Sequence, residues 1–492
     1  MEATNRFNLV DEPWIPVADA GLVSLRQVFT IPGLRALGGN PVQKIAVTKL
    51  LLAVAQAAST PKDEFEWEAL GPDGLASRIV AYLDAKKDCF WLYGLRPFLQ
   101  MPGVAVAELQ SFGAVVPSIS TGNTTVLTES QIEHSFSDAE RALLVVQLMG
   151  FGLGGKKCDN SVVLSADYAG KSNDNGKPST GRPGASVGFF GYLHNIMTGE
   201  SLWATIWINL VTQEQLRRLP IFPQGLGPIP WETSPIGESC PVAQALQHSL
   251  IGRLIPFSRF LLLEEDGLRY SEGISHPGHK DGLVDPTVAV DFSGKDPRVL
   301  WVDPEKRPWR HLTSLLSFIH AGTKGQFDCL ALRVAYPRAR MHWREVGLWS
   351  GGLKVSRNAG EQYVSGSDDY VESEVRLSTS FLGETWFQQL QLEMGALEDL
   401  AKTLYGSCMR YQKALKGGDQ QAGQATGLFW LLVGSQFQTL VNACNNAEEA
   451  KALRRTLSRF AQQAYDTYCP HDTARQMDAW AAHRPNLGKY LA

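Results

Sequence analysis

The sequence has no apolar run approaching the roughly 20 residues that a bilayer span requires. The longest apolar stretches, 45–58 and 428–433, are interrupted or bounded by Lys49, Gln56 or Gly434. The first residues show no basic start followed by an apolar core, so no secretion signal is read and a cytoplasmic protein without membrane contact is expected. Paired cysteines are missing as well. The 7 cysteines (Cys89, Cys158, Cys240, Cys329, Cys408, Cys444, Cys469) are scattered with no CxxC, which gives no zinc signature and fits buried thiols in a reducing compartment. Positive charge is not in excess. The formal net charge is -4, whereas a protein holding nucleic acid by its overall field is strongly basic. Any contact with nucleic acid is therefore local, or shared with basic partners. No Ser-His-Asp or Cys-His arrangement stands out from the scatter of such residues, so no catalytic residue, metal or cofactor is expected.

What is present is ordinary for a folded protein: 44% hydrophobic and 20% charged residues. A chain of 492 residues exceeds one common core and suggests two or three domains. It starts extended over 7–17, where Pro13 and Pro16 exclude a helix interior. A helix over 41–58 is expected, with Pro41 at its first position and Ile45, Thr48, Leu52 and Ala55 at helical spacing. The region 96–131, rich in Gly, Pro, Ser and Thr, reads as a long connecting loop. Ser137-Asp138-Ala139-Glu140 is a capping box that starts another helix. Loop-like sequence returns over 161–191. Residues 202–211 and 257–264 read as buried elements, and 288–348 mixes short strands with helices.

The last third changes character. Phe387, Leu390, Met394, Leu397, Ala401, Leu404, Cys408, Tyr411 and Leu415 recur at spacings of three and four. A second run (Trp430, Val433, Phe437, Leu440, Cys444) follows Gly417-Gly418, and a third (Leu453, Leu457, Phe460, Ala464) follows Asn445-Asn446. A weaker fourth begins at Asp472. Helices with such short connections make an antiparallel bundle. The expected fold is therefore α+β: a large mixed α/β N-terminal domain over residues 1–377, then an antiparallel four-helix bundle over residues 378–492.

Three motifs bear on function. Gly150-Phe151-Gly152-Leu153-Gly154-Gly155-Lys156-Lys157 approaches a phosphate-binding P-loop, in which bare backbone N–H groups crowd a phosphate. Lys157 stands where Ser or Thr would ligate magnesium, and the glycines follow a helix instead of joining a strand to one. A helix C-cap accounts for some of the glycines; a glycine loop with two lysines against a nucleic-acid backbone or groove accounts for both features. His276-Pro277-Gly278-His279 with Asp281 lies in a Gly/Pro-rich stretch with no further ligands in sequence, so a solvated turn outranks a metal site. Residues 348–360 read as strand, turn, strand with a projecting polar tip, either a surface hairpin or an element inserted into a DNA groove. Basic residues cluster at Arg410, Lys413 and Lys416 and at Arg454, Arg455 and Arg459. A solvated face is the ordinary reading of each cluster; bracketing a DNA strand is the sharper one.

The opening Phe7-Asn8-Leu9-Val10-Asp11-Glu12-Pro13-Trp14-Ile15-Pro16-Val17 resembles the N-terminal signature of the CasA-type large subunits of type I-E CRISPR surveillance complexes (Cascade). Arg96-Pro97-Phe98-Leu99-Gln100, the helix and glycine loop from Glu140 to Lys157, the stretch 202–212 and the C-terminal helices are similar to that family in order, over essentially the whole chain. The resemblance implies a non-enzymatic subunit that reads a short PAM in double-stranded target DNA, opens the duplex for pairing with the CRISPR RNA, and helps recruit the CRISPR helicase-nuclease. It implies as partners the backbone, small and handle-binding subunits of Cascade and the 5′ handle of the CRISPR RNA. By motif, Gly152, Gly154, Gly155, Lys156 and Lys157 correspond to the loop that approaches the PAM. The stretch 118–133, with Asn123 and Val126, resembles a long loop touching the RNA handle and the PAM region. Lys354, Ser356, Arg357 and Asn358 fall at the strand-separating wedge, and Arg410, Lys413, Arg454, Arg455 and Arg459 on bundle faces suited to a DNA strand. Some relatives carry a cysteine-rich insertion with a PAM-contacting lysine near positions 264–269. This chain has neither, and Lys280 is only a distant candidate. Two readings from other classes stay open: a P-loop-like nucleotide-dependent enzyme and a helical adaptor that binds protein alone.

Overall fold

A computed structural model describes residues 4–115, 135–152, 191–276, 278–281, 285–319, 327–358, 361–363, 369–380 and 382–491. The chain divides into two compact units. The first holds residues 1–308, 325–341 and 347–374; the second holds 309–324, 342–346 and 375–492. The helical unit thus takes in two segments that lie before residue 375 in the sequence.

In the first unit the N-terminal prolines confine the chain to short strands, β1 (Arg6–Asn8), β2 (Ile15–Val17) and β3 (Gly21–Val23), followed by helix α1 (Leu25–Thr30). Helix α2 (Pro41–Ala58) starts as its sequence dictates, with Pro41 in the first turn and a reciprocal Asn40–Gln43 capping box. Helix α3 (Glu64–Ala85), missed in the sequence pattern, contains Gly71 at φ 60 and Pro72. The Gly-Pro pair reads as a breaker, and locally it is one, because the helix is two runs joined across that kink. Trp67 of α3 stacks on Trp207 of α5 (Leu202–Ile208) at 4.0 Å, and each indole N–H donates to the other residue's carbonyl. The Arg338 guanidinium lies over Trp67, donates to both Glu64 carboxylate oxygens, and donates to the carbonyls of Ile208 and Leu210.

Strand β4 (Trp91–Tyr93) pairs antiparallel with β1. The described part of the expected long loop, up to residue 115, is more ordered than its composition suggests. It contains 3₁₀ turns at Pro102–Val106 and Phe112–Ala114 and strand β5 (Leu109–Gln110). Helix α4 (Asp138–Gly150) opens on the expected Ser137–Glu140 capping box. Strand β6 (His194–Thr198) follows, then α5, α6 (Gln213–Arg218), α7 (Pro241–Gln247) and α8 (Leu250–Leu254). Strands β7 (Arg259–Leu263) and β8 (Leu268–Glu272) form a hairpin that β5 extends on the β8 side. A small sheet joins β9 (Val290–Asp291), β10 (Arg298–Val299) and β11 (Phe327–Asp328).

Strand β12 (Glu345–Leu353) pairs antiparallel with β6, setting Gly351 opposite His194 and Trp349 opposite Ile196. Beyond it, β13 (Ser356–Asn358) and β14 (Glu361–Tyr363) make a further hairpin with Asn358 opposite Glu361. Strand β15 (Tyr370–Ser378) lines the other edge of β12. Gly351 and Gly352 therefore belong to a strand and not to a turn. A Cβ on Gly352 would stand 2.9 Å from the Tyr192 carbonyl oxygen, and one on Gly351 3.0 Å from that of Val371.

The second unit contains α9 (Leu312–Leu315), while α10 (Leu330–His342) lies almost wholly in the first. Its long helices are α11 (Glu384–Ala414), α12 (Gln420–Ser435) and α14 (Ala447–Tyr468), which pack on one another, with shorter α13 (Phe437–Ala443) and α15 (Ala474–Ala482). The second apolar run, expected as one helix, breaks at Gln436. Trp309 packs on both sides of the break, 4.2 Å from Phe437 and 5.9 Å from Trp430 between ring centres. Among the described residues no helix is long and apolar enough to cross a membrane.

Candidate nucleic-acid interface

Helix α4 ends where the glycine motif begins. Its last carbonyls lack partners within the helix; that of Met149 accepts from both the N–H and the hydroxyl of Ser258, at 2.8 and 2.6 Å. Phe151 packs its ring against the His194 imidazole at 5.7 Å. Gly152 faces Arg259, and a Cβ there would lie 3.1 Å from that side chain. Arg259 is itself buried and bound to Glu272 at 2.8 Å. The root of the glycine segment is therefore fixed on the strand pair β7–β8. A helix, not a strand, precedes these glycines, as the sequence indicated, which is not the strand-to-helix setting of a P-loop. Gly154, Gly155, Lys156, Lys157, Asn123 and Val126 lie outside the described residues.

The described chain resumes at Gly191, with φ +69, a conformation favouring glycine. A Cβ there would stand 3.1 Å from both the Leu353 carbonyl oxygen and the Val355 nitrogen. Gly191 thus sits against the base of the β13–β14 hairpin. Lys354 at that base is exposed, and its backbone N–H donates to the Asp369 carbonyl at 2.9 Å. Ser356, Arg357 and Asn358 form the outgoing strand. The structure so brings together the roots of the glycine segment and of the hairpin, two elements about 200 residues apart in sequence, since both abut β6 or the residues just before it.

Behind these roots lies a buried polar cluster that sequence motifs did not flag. Lys49 of α2 pairs with Asp285. The other Asp285 oxygen accepts from the Thr287 N–H at 2.8 Å and its hydroxyl at 2.6 Å. With its proton given to the carboxylate, that hydroxyl accepts from His194 Nδ1 at 2.8 Å, so the imidazole carries its proton on Nδ1. His194 Nε2 is then a bare lone pair, buried with no hydrogen-bond partner among the described residues. Burial holds His194 down to about 4 despite the nearby Asp285 charge. Burial is the largest influence on Asp285 and opposes its ionisation, but the Lys49 ammonium, His194 and the Thr287 hydroxyl together outweigh it and keep the carboxyl below its ordinary value. The available signal was Lys49 interrupting the apolar run 45–58.

The two histidines of the sequence motif part company. His276 is buried, donates from Nε2 to the Pro256 carbonyl at 2.7 Å and receives Arg253 on Nδ1 at 3.1 Å. Burial and the Arg253 charge hold it down to about 3. His279 instead meets Tyr192 Oη through Nδ1 at 3.0 Å. No group of three or more metal-ligating side chains occurs among the described residues.

On the helical unit, Arg410 and Lys413 are exposed on α11, Arg410 also donating to Ser407 Oγ at 3.1 Å. Arg455 and Arg459 are exposed one turn apart on α14. Arg454 is different. It holds the Glu393 carboxylate, 1% exposed, through two bonds of 2.5 and 2.7 Å, so its first partner is inside the bundle. Arg454→Ala is expected to lower stability by about 3 kcal/mol by stranding a buried carboxylate. Arg455→Ala is expected to stay within about 0.5 kcal/mol. Urea unfolding of both variants checks the contrast, and equal effects would remove the internal role given to Arg454.

The solved structures of Cse1 proteins share this fold. Thermobifida fusca Cse1 superposes with a TM-score of 0.74 at 19% identity, covering 99% of this chain and 98% of that one. Thermus thermophilus CasA (Cse1) gives 0.71 at 22% identity, covering 99% of each. A chain of a structure described as a CRISPR RNA-guided surveillance complex gives 0.67 at 15% identity over the full length of both. In sequence, the CRISPR-associated protein CasA/Cse1 of Thermus thermophilus is 27% identical over 344 residues. That alignment takes in 64% of this chain and 61% of the relative, about three fifths of the relative's length. The family model for CRISPR-associated protein Cse1 matches residues 8–467, nearly the whole sequence, and the chain belongs to that family.

Proposed function

We propose that this chain is the large subunit of a type I-E CRISPR surveillance complex and reads the PAM of double-stranded target DNA. Its glycine segment, with Gly152, Gly154, Gly155, Lys156 and Lys157, approaches the PAM, and the β13–β14 hairpin, with Lys354, Ser356, Arg357 and Asn358, wedges the strands apart. Asn123 and Val126 lie on the loop that meets the RNA handle. Arg410, Lys413, Arg455 and Arg459 hold a DNA strand through phosphate contacts, while Arg454 supports them from within. The other subunits and the CRISPR RNA are its partners, it recruits the helicase-nuclease, and it has no catalytic function of its own. The observation that carries this reading is the common rooting of the glycine segment and the hairpin beside β6. In such a division of labour the protein reads PAM and shape while base pairing reads sequence, and the net charge of -4 is compatible with charge supplied by neighbours.

The test is DNA binding by the CRISPR RNA complex with and without this chain, on targets with a matching or a scrambled PAM. The chain is expected to sharpen discrimination, Gly155→Asp to abolish it, and the Arg357→Ala/Asn358→Ala pair to weaken duplex opening. If the chain adds nothing to PAM-dependent binding, this mechanism is wrong although the family assignment stands.

A further inference from the structure

His194 is the residue on which the two roots converge. On one side its ring meets Phe151, next to Gly152. On the other, its backbone lies opposite Gly351 in the β6–β12 ladder, three residues before Lys354 at the hairpin base. Neither contact alone fixes the imidazole, because a ring packed only on Phe151 could turn about its side-chain bonds. What fixes it is the hydrogen bond from Nδ1 to Thr287, whose hydroxyl is oriented in turn by Asp285, itself held by Lys49. The segment carrying Thr287 is also tied to β6 directly, since its carbonyl accepts from Asn195 N–H at 2.8 Å. Asn195 meets Ser350 of β12 at 2.8 Å. The chain Lys49–Asp285–Thr287–His194 thus runs from helix α2 to the place where both elements are anchored, and it is buried throughout.

We propose that this buried chain is a specificity-determining positioning device: it sets the spacing between the root of the glycine segment and the root of the hairpin, and with it the strictness of PAM reading. Recognition groups must be held within about 0.5 Å of their working geometry by neighbours whose own rotamers are locked, and locked neighbours are what these residues supply. The inference rests on the PAM-reading role proposed above. It predicts that loosening the chain reduces discrimination between PAMs without reducing binding to DNA that is already open.

The decisive comparison uses CRISPR RNA complexes assembled with the full chain carrying Thr287→Val, which keeps the shape and removes the hydroxyl, or Thr287→Ser, which keeps the hydroxyl. Each is titrated with a matching-PAM duplex, a scrambled-PAM duplex and a target unpaired beside the PAM. Thr287→Val is expected to lower the ratio of matched to scrambled affinity roughly tenfold, a difference of about 1.4 kcal/mol. Thr287→Ser should retain that ratio, and both should bind the open target as the parent does. Equal behaviour of the Val and Ser variants overturns the proposal, as does a uniform loss on all three targets. A parent complex that does not discriminate between PAMs refutes the PAM-reading role itself, and the positioning role with it. Should Thr287→Val fail to fold, His194→Leu against His194→Asn, which retains a donor at the Nδ1 position, decides by the same criterion.

Discussion

Removing either member of the buried Lys49–Asp285 pair is expected to cost about 3–5 kcal/mol of unfolding free energy. Both side chains are almost fully enclosed, at 3% and 0% exposure. Lys49→Met leaves a buried carboxylate supported by the Thr287 N–H and hydroxyl, with no ammonium to neutralise it. Asp285→Asn leaves unneutralised a Lys49 ammonium that burial already disfavours, with the Arg253 charge adding to the penalty. The double replacement, Lys49→Met with Asp285→Asn, leaves neither charge stranded and is expected to cost less than the two single losses together, with a coupling of about 2 kcal/mol or more. The measurement is urea unfolding of the four proteins, read in the transition of the unit that contains residue 285, because two compact units need not melt together. Additive losses would show that the two side chains do not act as a pair.

The second large effect is on pH. Burial holds His194 down to about 4 and His276 to about 3, against an ordinary value of 6.5. The folded chain therefore keeps both rings neutral where the unfolded chain protonates them. Their contribution is fully present above pH 6.5 and is lost as the pH falls toward the folded values. Each pH unit in that window costs up to about 1.4 kcal/mol for each ring. His194→Asn removes one titrating ring while retaining an N–H donor for Thr287. The stability difference between parent and variant is expected to move against the parent by about 3 kcal/mol between about pH 7 and pH 4. A difference that stays level across this range would mean that His194 is not held neutral by the fold.

The sequence was most readable where local chemistry decides the structure. Helix α2 was legible from Pro41 and its apolar spacing and α4 from the Ser137–Glu140 capping box, all short-range patterns, while the Asn40–Gln43 box that also starts α2 was not read. Helix α3 was hidden by Gly71-Pro72, a breaker that the fold tolerates as a kink. The break at Gln436 was hidden for the opposite reason. Gly434 stands just before it, but the apolar spacing runs on through Phe437 and Leu440, and the residue packed against both flanks, Trp309, is remote in the chain.

The candidate site divides in the same way. The glycines and the polar hairpin were visible as composition, but not that their roots, at Phe151 and at Gly351, both meet His194. Which arginine faces outward was not visible. Arg454 and Arg455 are neighbours in sequence, and only the packing of α14 against Glu393 of α11 separates an internal ion pair from an exposed cation. The Lys49–Asp285 pair was equally hidden, because its partners meet only in the folded chain.

That pair also constrains how the protein can be made. Asp285 follows Lys49 by 236 residues, so at ribosomal speeds of roughly 5–20 residues per second it is synthesised on the order of ten to fifty seconds later. Until then, packing α2 into its final surroundings would bury an ammonium with no counter-charge. The final packing of α2 against the segment that carries Asp285 therefore comes late in synthesis, and a chain cut short between these two positions lacks the counter-charge that Lys49 meets in the folded protein.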